Sequence, residues 1–443
     1  MASPAAAVPR AVAPPGRRRE AAPALGRPPD LRWDPLLLCV AGYLLTSVGR
    51  VHQLFPVLEG LRPALLTGLL AIALYSVDRR EDRRLRRVWV PATRWLLALV
   101  AWMVLSVPSA LVIGASFDLV FGNFIKTALM VVVVAASVRG LRDVERLVLA
   151  YLMGAVAYAV VVVLRFDLGG GDAWRLGRLY YYDANDFATF IVTAMPFGLY
   201  FLHAGRGGFR RLLAGGALAV LALAFVYTGS RGGFVALAAA TTFILLRSSA
   251  ISLGRRVAAT GLVGLVLLGT ASGQYWEQMG TILSDADYNR TDESGRMQIW
   301  RRGLGYMLEN PVFGVGPHNF QAAEGRLSPF ADRQQLGIGV RWNAAHNTYL
   351  QVGAELGVPG LLMFAGLIAS AFAALPGGKG RGRRPAGGNA MWTHLGQALT
   401  ASLIGFVVGA FFLSLAYAEM LYALVGLAVG LQKVAAIRPM ERD

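Results

Sequence analysis

The residue best suited to moving a proton in this chain is His346, which follows the long polar stretch 273–345 and precedes an apolar run. An imidazole titrates near neutral pH, and the positive end of a helix starting just after it favours the neutral, proton-accepting form. The competing interpretation is an ordinary hydrogen-bonded histidine at a helix start, and His318 is a rival candidate base. The position predicts His346 as a general base, with Asn347 as a neighbouring substrate-binding residue.

A phosphate site is predicted in the turn Gly229-Ser230-Arg231-Gly232-Gly233. Glycine allows close backbone approach, free N–H groups at a helix start suit phosphate oxygens, and a guanidinium adds paired donors. An arginine at a helix start is unfavourable unless an anion shares the site. The alternative is a tight turn whose arginine reaches to lipid headgroups. Arg231 and Ser230 are therefore the candidate phosphate ligands.

A third polar group lies just before another apolar run and consists of Asp183, Asn185 and Asp186. These side chains either cap the following helix, with the preceding tyrosines in an interfacial aromatic belt, or bind sugar hydroxyls. Both interpretations stay open from the sequence. The three residues are candidates for substrate binding.

Within the polar stretch, residues 294–308 have apolar side chains at helical spacing and arginines off that stripe. The pattern predicts a small helical cap lying on the rest of the protein. Its Arg296 and Arg301 are alternative candidates for a second phosphate ligand. The competing interpretation of each arginine is headgroup binding and solubility.

Two charged residues fall inside apolar runs: Lys126, eight residues after Asp118, and Glu355, nine residues after His346. At the helical rise, both lie roughly 12–14 Å below the same entrance. Because lone intramembrane charges are costly, equal depth predicts a Lys126–Glu355 ion pair that lines a substrate cavity. Glu419 is a rival partner.

The elements that position these residues are apolar runs. Hydrophobic residues make up 55% and charged residues 16% of the 443, and the mean hydropathy is +0.50. Because lipid offers no hydrogen-bond partners to a backbone, such runs form helices. The fold class is predicted to be all-α, a polytopic membrane protein with about twelve transmembrane helices. The runs lie near residues 35–57, 61–77, 92–113, 118–138, 142–164, 186–203, 211–228, 232–247, 256–272, 346–374, 394–415 and 417–432.

The formal net charge of +17 is distributed in a way that argues against nucleic acid as a partner. Basic clusters lie on alternate connections between the predicted spans, and a cytoplasmic N-terminus places all of them on the cytoplasmic side. The excess is therefore interpreted as a topology signal and a contact with anionic membrane lipids.

The chain is divided into one membrane domain, 34–435, with disordered cytoplasmic tails at 1–33 and 436–443. The stretch 273–345 forms a cap between spans nine and ten, and 376–391 forms a cytoplasmic linker. Cys39 is the only cysteine, so no thiolate metal site is expected. Asp285 and Asp287 are the one pair that could mimic a carboxylate metal motif. No metal and no other cofactor are predicted.

Taken together, the motifs resemble the superfamily of O-antigen ligases and O-antigen or exopolysaccharide polymerases, integral-membrane glycosyltransferases of the bacterial envelope. The resemblance covers roughly residues 35–435. It is carried by Asp183, Asn185, Asp186 and Ala188, by Gly229 to Gly233, by Arg296 with Trp300, by Pro311, Gly314 and Gly316, and by His346, Asn347, Leu350 and Gly357.

The resemblance implies transfer of a glycan from undecaprenyl diphosphate to an acceptor hydroxyl at the periplasmic face of the inner membrane. The reaction is expected to invert the anomeric centre without a metal. His346 matches the family's general base and Arg231 the position that holds the leaving diphosphate. Arg296 or Arg301 is the second cation.

The acceptor is left open between three branches of the superfamily. It is the lipid A–core of lipopolysaccharide in ligases, another lipid-linked repeat unit in polymerases, and a protein hydroxyl in O-oligosaccharyltransferases. The spacing of His346, Asn347, Leu350 and Gly357 favours the ligase branch.

A lipid-linked sugar flippase or transporter is the alternative from a different class. Transporters tend to keep their polar residues near the bilayer midplane, on broken helices and in related halves. Here the informative polar residues cluster at one rim of the predicted bundle, which favours an enzyme.

Overall fold

The computed structural model of the chain describes residues 32–165, 174–176, 181–204, 207–248, 252–283, 295–335, 342–376 and 390–437. Apart from their inner ends, the predicted tails 1–33 and 436–443 and the linker 376–391 lie outside the described residues. The described residues from 33 onward form one compact unit. The division of the chain into a membrane domain, cap and linker stays a prediction.

Every regular element in the described ranges is helical, which confirms the all-α prediction. Single turns aside, the helices are α1 (Pro35–Val48), α2 (Pro63–Val77), α3 (Pro91–Ser106), α4 (Ile113–Ser137), α5 (Leu141–Arg165), α6 (Ala184–Ala204), α7 (Gly208–Thr228), α8 (Arg231–Arg247), α9 (Leu253–Thr270), α10 (Gly273–Gly280), α11 (Arg296–Glu309), α12 (Phe320–Arg326), α13 (Thr348–Ala373), α14 (Ala390–Ala410) and α15 (Glu419–Ile437).

Nine helices in the described part of the chain are long and apolar enough to cross a membrane: α3 to α7, α9 and α13 to α15. The helices α1 and α2 are apolar but shorter, and α8 has 17 residues. All three occupy runs where spans were predicted. The chain is thus a multi-pass membrane protein, and the count of about twelve spans stays a prediction for these three helices.

The outer surface of the bundle suits lipid rather than water. Leu66 of α2 is 58% exposed and Leu265 of α9 is 70% exposed. Large apolar side chains exposed in this number are typical of contact with hydrocarbon chains.

The helix ends fall on two faces. We call the first the site face, because it carries Arg50, Asp183, Arg231 and His346. Contacts between distant segments tie it together. For example, the Tyr182 hydroxyl donates to the Val48 carbonyl at 2.6 Å.

The opposite face, which we call the basic face, is held by a buried ion network. Arg83 is 2% exposed and donates to Asp34 at 2.5 Å and to Asp78 at 2.7 Å. Asp143 is fully buried and accepts from Arg139 at 2.7 Å. These arginines were predicted to contact lipid headgroups, but ion pairing within the protein occupies their guanidinium groups instead. Removing either partner leaves an unpaired buried charge.

Helix α13 is broken at Gly357, whose φ of 68° and ψ of −172° are not helical. The loop 311–316 fills the break and satisfies the freed backbone groups. Val358 N donates to the Pro311 carbonyl at 2.8 Å, and Val315 N donates to the Ala354 carbonyl at 2.8 Å. A broken helix was expected of transporters, but here protein backbone, not an ion site, occupies the break.

Gly357 therefore gives a stability prediction. A Cβ at this position would lie 2.3 Å from the Val312 carbonyl oxygen, on a backbone conformation that is nearly restricted to glycine. We expect Gly357→Ala to lower the free energy of unfolding by about 3 kcal/mol or more, since strain and overpacking add. Thermal unfolding of the detergent-solubilised protein measures the change.

The matched control is Gly261→Ala in α9, where a Cβ meets no atom within 4 Å. Alanine is the better helix former, so this variant should melt at or slightly above the wild-type temperature. Equal melting temperatures for the two variants would contradict the packing of loop 311–316 into the break.

Candidate functional site

His346 lies on the site face, in a backbone conformation that its surroundings enforce. Its φ is +47°, in the left-handed region that non-glycine residues seldom adopt. The His346 N–H donates to Ser414 Oγ at 2.9 Å. Two residues on, Thr348 Oγ1 donates to the Leu413 carbonyl at 2.8 Å and accepts from Leu415 N at 2.9 Å. Three hydrogen bonds thus join the segment that contains the histidine to the connection between α14 and α15.

Trp300 of the predicted cap also contacts the segment that contains His346. Its indole Nε1 donates to the Ala345 carbonyl at 3.0 Å, and its ring packs edge-on against Phe411 at 5.4 Å between centroids. Helix α11 packs along α13. In the described part of 273–345, helices α10, α11 and α12 lie where the cap was predicted. The tryptophan of the Arg296–Trp300 motif therefore positions the residue that precedes His346.

The electrostatic surroundings of His346 favour its neutral form. Burial lowers the pKa of the imidazole below its ordinary value of 6.5, the nearby charge of Arg296 lowers the pKa further, and Asp183 opposes them. The structure thus brings residues from three distant segments within electrostatic range of one another. A neutral imidazole near pH 7 can accept a proton.

The two candidate arginines of α11 have different surroundings. Arg296 is the first residue of the helix, is half-buried and acts on His346. Arg301 is exposed. Its neighbour Arg302 is bound to the buried carboxylate of Glu324 at 2.6 Å. Arg296 is therefore the arginine of this pair that the fold places beside the histidine.

The turn predicted to bind phosphate begins α8. Ser230 caps the helix, and its Oγ accepts from Gly233 N at 3.1 Å. Arg231 is half-buried and donates from Nη1 to Thr281 Oγ1 at 2.7 Å. Packing requires glycine at position 232, because a Cβ there would lie 2.8 Å from Phe412 Cβ. The first N–H groups of α8 and the guanidinium lie together at this helix start.

Arg231 and His346 both lie next to the short segment 412–414. Gly232, next to Arg231, packs against Phe412, and His346 is bonded to Ser414. The regions of the two predicted residues are thus connected through this segment.

Arg175, which no motif in the sequence singled out, lies in the same area. Its Nε donates to the Thr228 carbonyl at 2.7 Å and its Nη2 donates to Asn185 Oδ1 at 3.0 Å. A Cβ on Gly229 would lie 3.0 Å from Arg175 Cδ. A second guanidinium therefore lies beside the Arg231 turn.

Several predicted polar residues act as helix caps. Asp183 Oδ1 accepts from the backbone N–H groups of Asn185 at 2.7 Å and Asp186 at 2.8 Å. Asn347 Oδ1 caps α13 by accepting from Tyr349 N and Leu350 N. The capping interpretation holds for both residues. Asp183 is also exposed and close enough to affect His346.

The predicted Lys126–Glu355 ion pair is wrong. Glu355 is 1% exposed and accepts from the backbone N–H groups of His318 and Phe320, each at 3.0 Å, and from the Tyr417 hydroxyl at 2.6 Å. Lys126 is exposed. The prediction rested on equal depth, but depth does not specify the direction in which a side chain leaves its helix.

Glu419, the rival partner, is bound to a different cation. Its Oε1 accepts from Arg50 Nη2 at 2.8 Å, and the Arg50 guanidinium lies 3.7 Å from the centre of the Tyr181 ring. Arg50 was not singled out in the sequence, because its partner is 369 residues away.

A polar cavity of about 920 Å³ lies in the bundle beneath the site face. We call it the polar chamber and define it by Arg50, Asp186, Gln351, Glu355, Ser414 and Glu419 among its lining residues. Asn123 also lines it, from a π-helical stretch of α4, Asp118–Phe124. Such stretches are frequent at functional sites. Ala345 and Ser414 place one side of the chamber next to His346.

Among the described residues, there is no group of three or more His, Cys, Asp or Glu side chains placed to hold a metal ion. Asp285 and Asp287 lie outside the described residues.

The charge environment of His346 leads to a titration prediction. We expect its pKa to lie below 6.5. Removing the positive charge with Arg296→Gln should raise this pKa, and removing the negative charge with Asp183→Asn should lower it. With five histidines in the chain, NMR of histidine-labelled protein in micelles can resolve each titration. The control Arg301→Gln should leave the value unchanged. A shift as large as that of Arg296→Gln would contradict this geometry.

The chain matches no curated protein. Residues 216–365 match the family model described as O-antigen ligase. The match runs from α7 to the middle of α13 and contains Arg231, Arg296 and His346. This match over part of the chain supports the resemblance of its motifs to the O-antigen ligase and polymerase superfamily.

Proposed function

We propose that the protein is a membrane glycosyltransferase of the O-antigen ligase type. It moves a glycan from undecaprenyl diphosphate to a hydroxyl of the lipopolysaccharide core at the periplasmic face of the bacterial inner membrane. The observation that carries the proposal is a half-buried imidazole at residue 346, held neutral by burial and by Arg296, on the same face as Arg231.

In the proposed reaction, His346 removes the proton of the acceptor hydroxyl. The acceptor oxygen forms a bond to the anomeric carbon while the bond from that carbon to the diphosphate oxygen breaks, with inversion. The proton then leaves His346 to water. Proton removal by a positioned imidazole contributes about 10²–10⁴-fold in rate.

The leaving undecaprenyl diphosphate gains negative charge in the transition state. Arg231, Arg175 and the start of α8 are fixed before the reaction by hydrogen bonds to protein. Donors held in place in this way stabilise developing charge without reorganising. Arg296 has two effects: it lowers the pKa of His346 and adds a third positive charge near the leaving group.

The orientation is part of the proposal. Clusters of arginine at the basic face, such as 79–87 and 139–146, support a cytoplasmic location for that face. The site face then meets the periplasm, where lipid-linked glycans and lipopolysaccharide core are both present.

The assignment of the base and the phosphate ligand is tested with His346→Asn and Arg231→Gln. Asparagine tolerates the left-handed backbone of residue 346 but accepts no proton near neutral pH. We expect transfer to fall about 10²–10⁴-fold in the first variant and about 10²–10³-fold in the second. The measurement is the amount of polymer-bearing lipopolysaccharide on a gel, together with the membrane level of each variant.

The controls are His203→Asn, which lies at the end of α6 on the basic face, and Arg301→Gln, which is exposed on α11. Both should transfer glycan normally. Near-normal product from His346→Asn and Arg231→Gln at wild-type membrane levels would overturn the site assignment.

The acceptor is tested by deleting the gene and examining the envelope glycans. A ligase leaves full-length polymer on the lipid carrier, because polymerisation still proceeds and only attachment is lost. A polymerase leaves single repeat units instead. A normal lipopolysaccharide pattern with unglycosylated periplasmic proteins would identify a protein O-oligosaccharyltransferase. Only the first outcome agrees with the proposed acceptor.

A further inference from the structure

The polar chamber contains a buried group that has no partner in the protein. Gln351 is 7% exposed, lines the chamber, and its amide oxygen Oε1 has no hydrogen-bond partner. Arg50 Nε, also buried, is without a partner. By contrast, the Glu355 carboxylate in the same chamber accepts three hydrogen bonds. Buried polar atoms in folded proteins are nearly always paired. Gln351 therefore has hydrogen-bonding capacity for a ligand inside the chamber.

The chemistry of the lining suits a sugar. Amides and carboxylates, among them Asn123, Asp186, Gln321 and Gln351, offer both donors and acceptors to hydroxyl groups. The lining contains one arginine, Arg50, and its charge is balanced by Glu419 at 2.8 Å. A diphosphate needs several cations, so this lining does not favour it. A neutral polyhydroxylated ligand fits this balance.

The chamber adjoins the residues that flank and hold His346. Ala345, which precedes it, and Ser414, which accepts from its backbone N–H, line the chamber, while neither the His346 nor the Arg231 side chain is part of the lining. In an in-line displacement, the attacking hydroxyl and the leaving group lie on opposite sides of the reacting carbon. A base acts on the attacking hydroxyl.

We infer that the polar chamber binds the acceptor glycan, with the Gln351 side chain hydrogen-bonded to an acceptor hydroxyl. The inference rests on the proposed function, because it assigns the acceptor substrate of that reaction to the polar chamber. Gln351 is then a specificity-determining residue. It contacts the acceptor but takes no part in proton transfer.

The test uses full-length protein in nanodiscs and the variant Gln351→Met, which keeps the side-chain length and removes the amide. A strain lacking the gene supplies both its accumulated lipid-linked glycan as donor and its unmodified core glycolipid as acceptor. We expect KM for the acceptor to rise about tenfold, as loss of one buried hydrogen bond predicts. KM for the donor and kcat should stay close to wild type. The melting temperature should be equal or higher, since an unpaired buried amide is removed.

The control is Gln274→Met on α10, which is exposed on the site face. It should change neither KM. An unchanged acceptor KM in Gln351→Met would overturn the inference. A raised donor KM with an unchanged acceptor KM would also overturn it and place donor sugars in the chamber.

Direct binding separates this inference from the proposed function. The probe is the free core oligosaccharide, released from the same glycolipid and titrated against protein in nanodiscs. The His346→Asn variant should bind it as wild type does, and Gln351→Met should bind it about tenfold more weakly. If wild-type protein transfers no glycan but this binding pattern holds, the proposed function fails while the assignment of the chamber to this glycan stands. If His346→Asn and Gln351→Met bind the core oligosaccharide equally, the assignment of the polar chamber to this glycan is wrong, even if glycan transfer is confirmed.

Discussion

The site depends on the junction between the start of α13 and the connection 411–418. Trp300 holds the Ala345 carbonyl, Ser414 holds the His346 N–H, and Thr348 bonds twice to the same connection. Together these contacts enforce the left-handed backbone at His346, which costs of the order of 1–3 kcal/mol. A strained residue held in this way keeps one orientation, and a general base needs a fixed direction relative to its substrate.

A buried carboxylate inside the bundle ties the cap to this junction. Glu355 lies in α13, accepts from two backbone N–H groups of the loop that carries His318 and Phe320, and accepts from Tyr417 in the connection. The break at Gly357, two residues further on, receives the backbone of loop 311–316. Hydrogen bonds accepted by this buried carboxylate and by the broken helix therefore fix the loop of the predicted cap to α13. Arg296 and Trp300 belong to the same predicted cap and are held in place with it.

The parts that the sequence predicted well are those set by local pattern. Apolar runs located most helix ends within five residues, although the first predicted run continues nine residues past the end of α1 at Val48. Local pattern also predicted the helix starts next to His346 and Arg231 and the helix that begins at Arg296. The sequence did not predict contacts between residues that lie far apart along the chain. Arg50 and Glu419 are 369 residues apart, and Arg175 lies in a stretch without periodicity. Rise along a helix gives depth, whereas the partner of a side chain depends on rotation about the helix axis and on which helices are neighbours.

Cations are distributed unequally around His346. Arg231 lies at the start of α8 with Arg175 beside it, while Arg50 in the lining of the polar chamber is paired with Glu419. Under the proposed function, a diphosphate is attracted to the start of α8 more than to the chamber, so a lipid-linked donor has one favourable placement. A neutral imidazole next to the chamber adds no positive charge that would attract the diphosphate there. In the proposed reaction, the lowered pKa of His346 therefore contributes to substrate placement as well as to proton transfer.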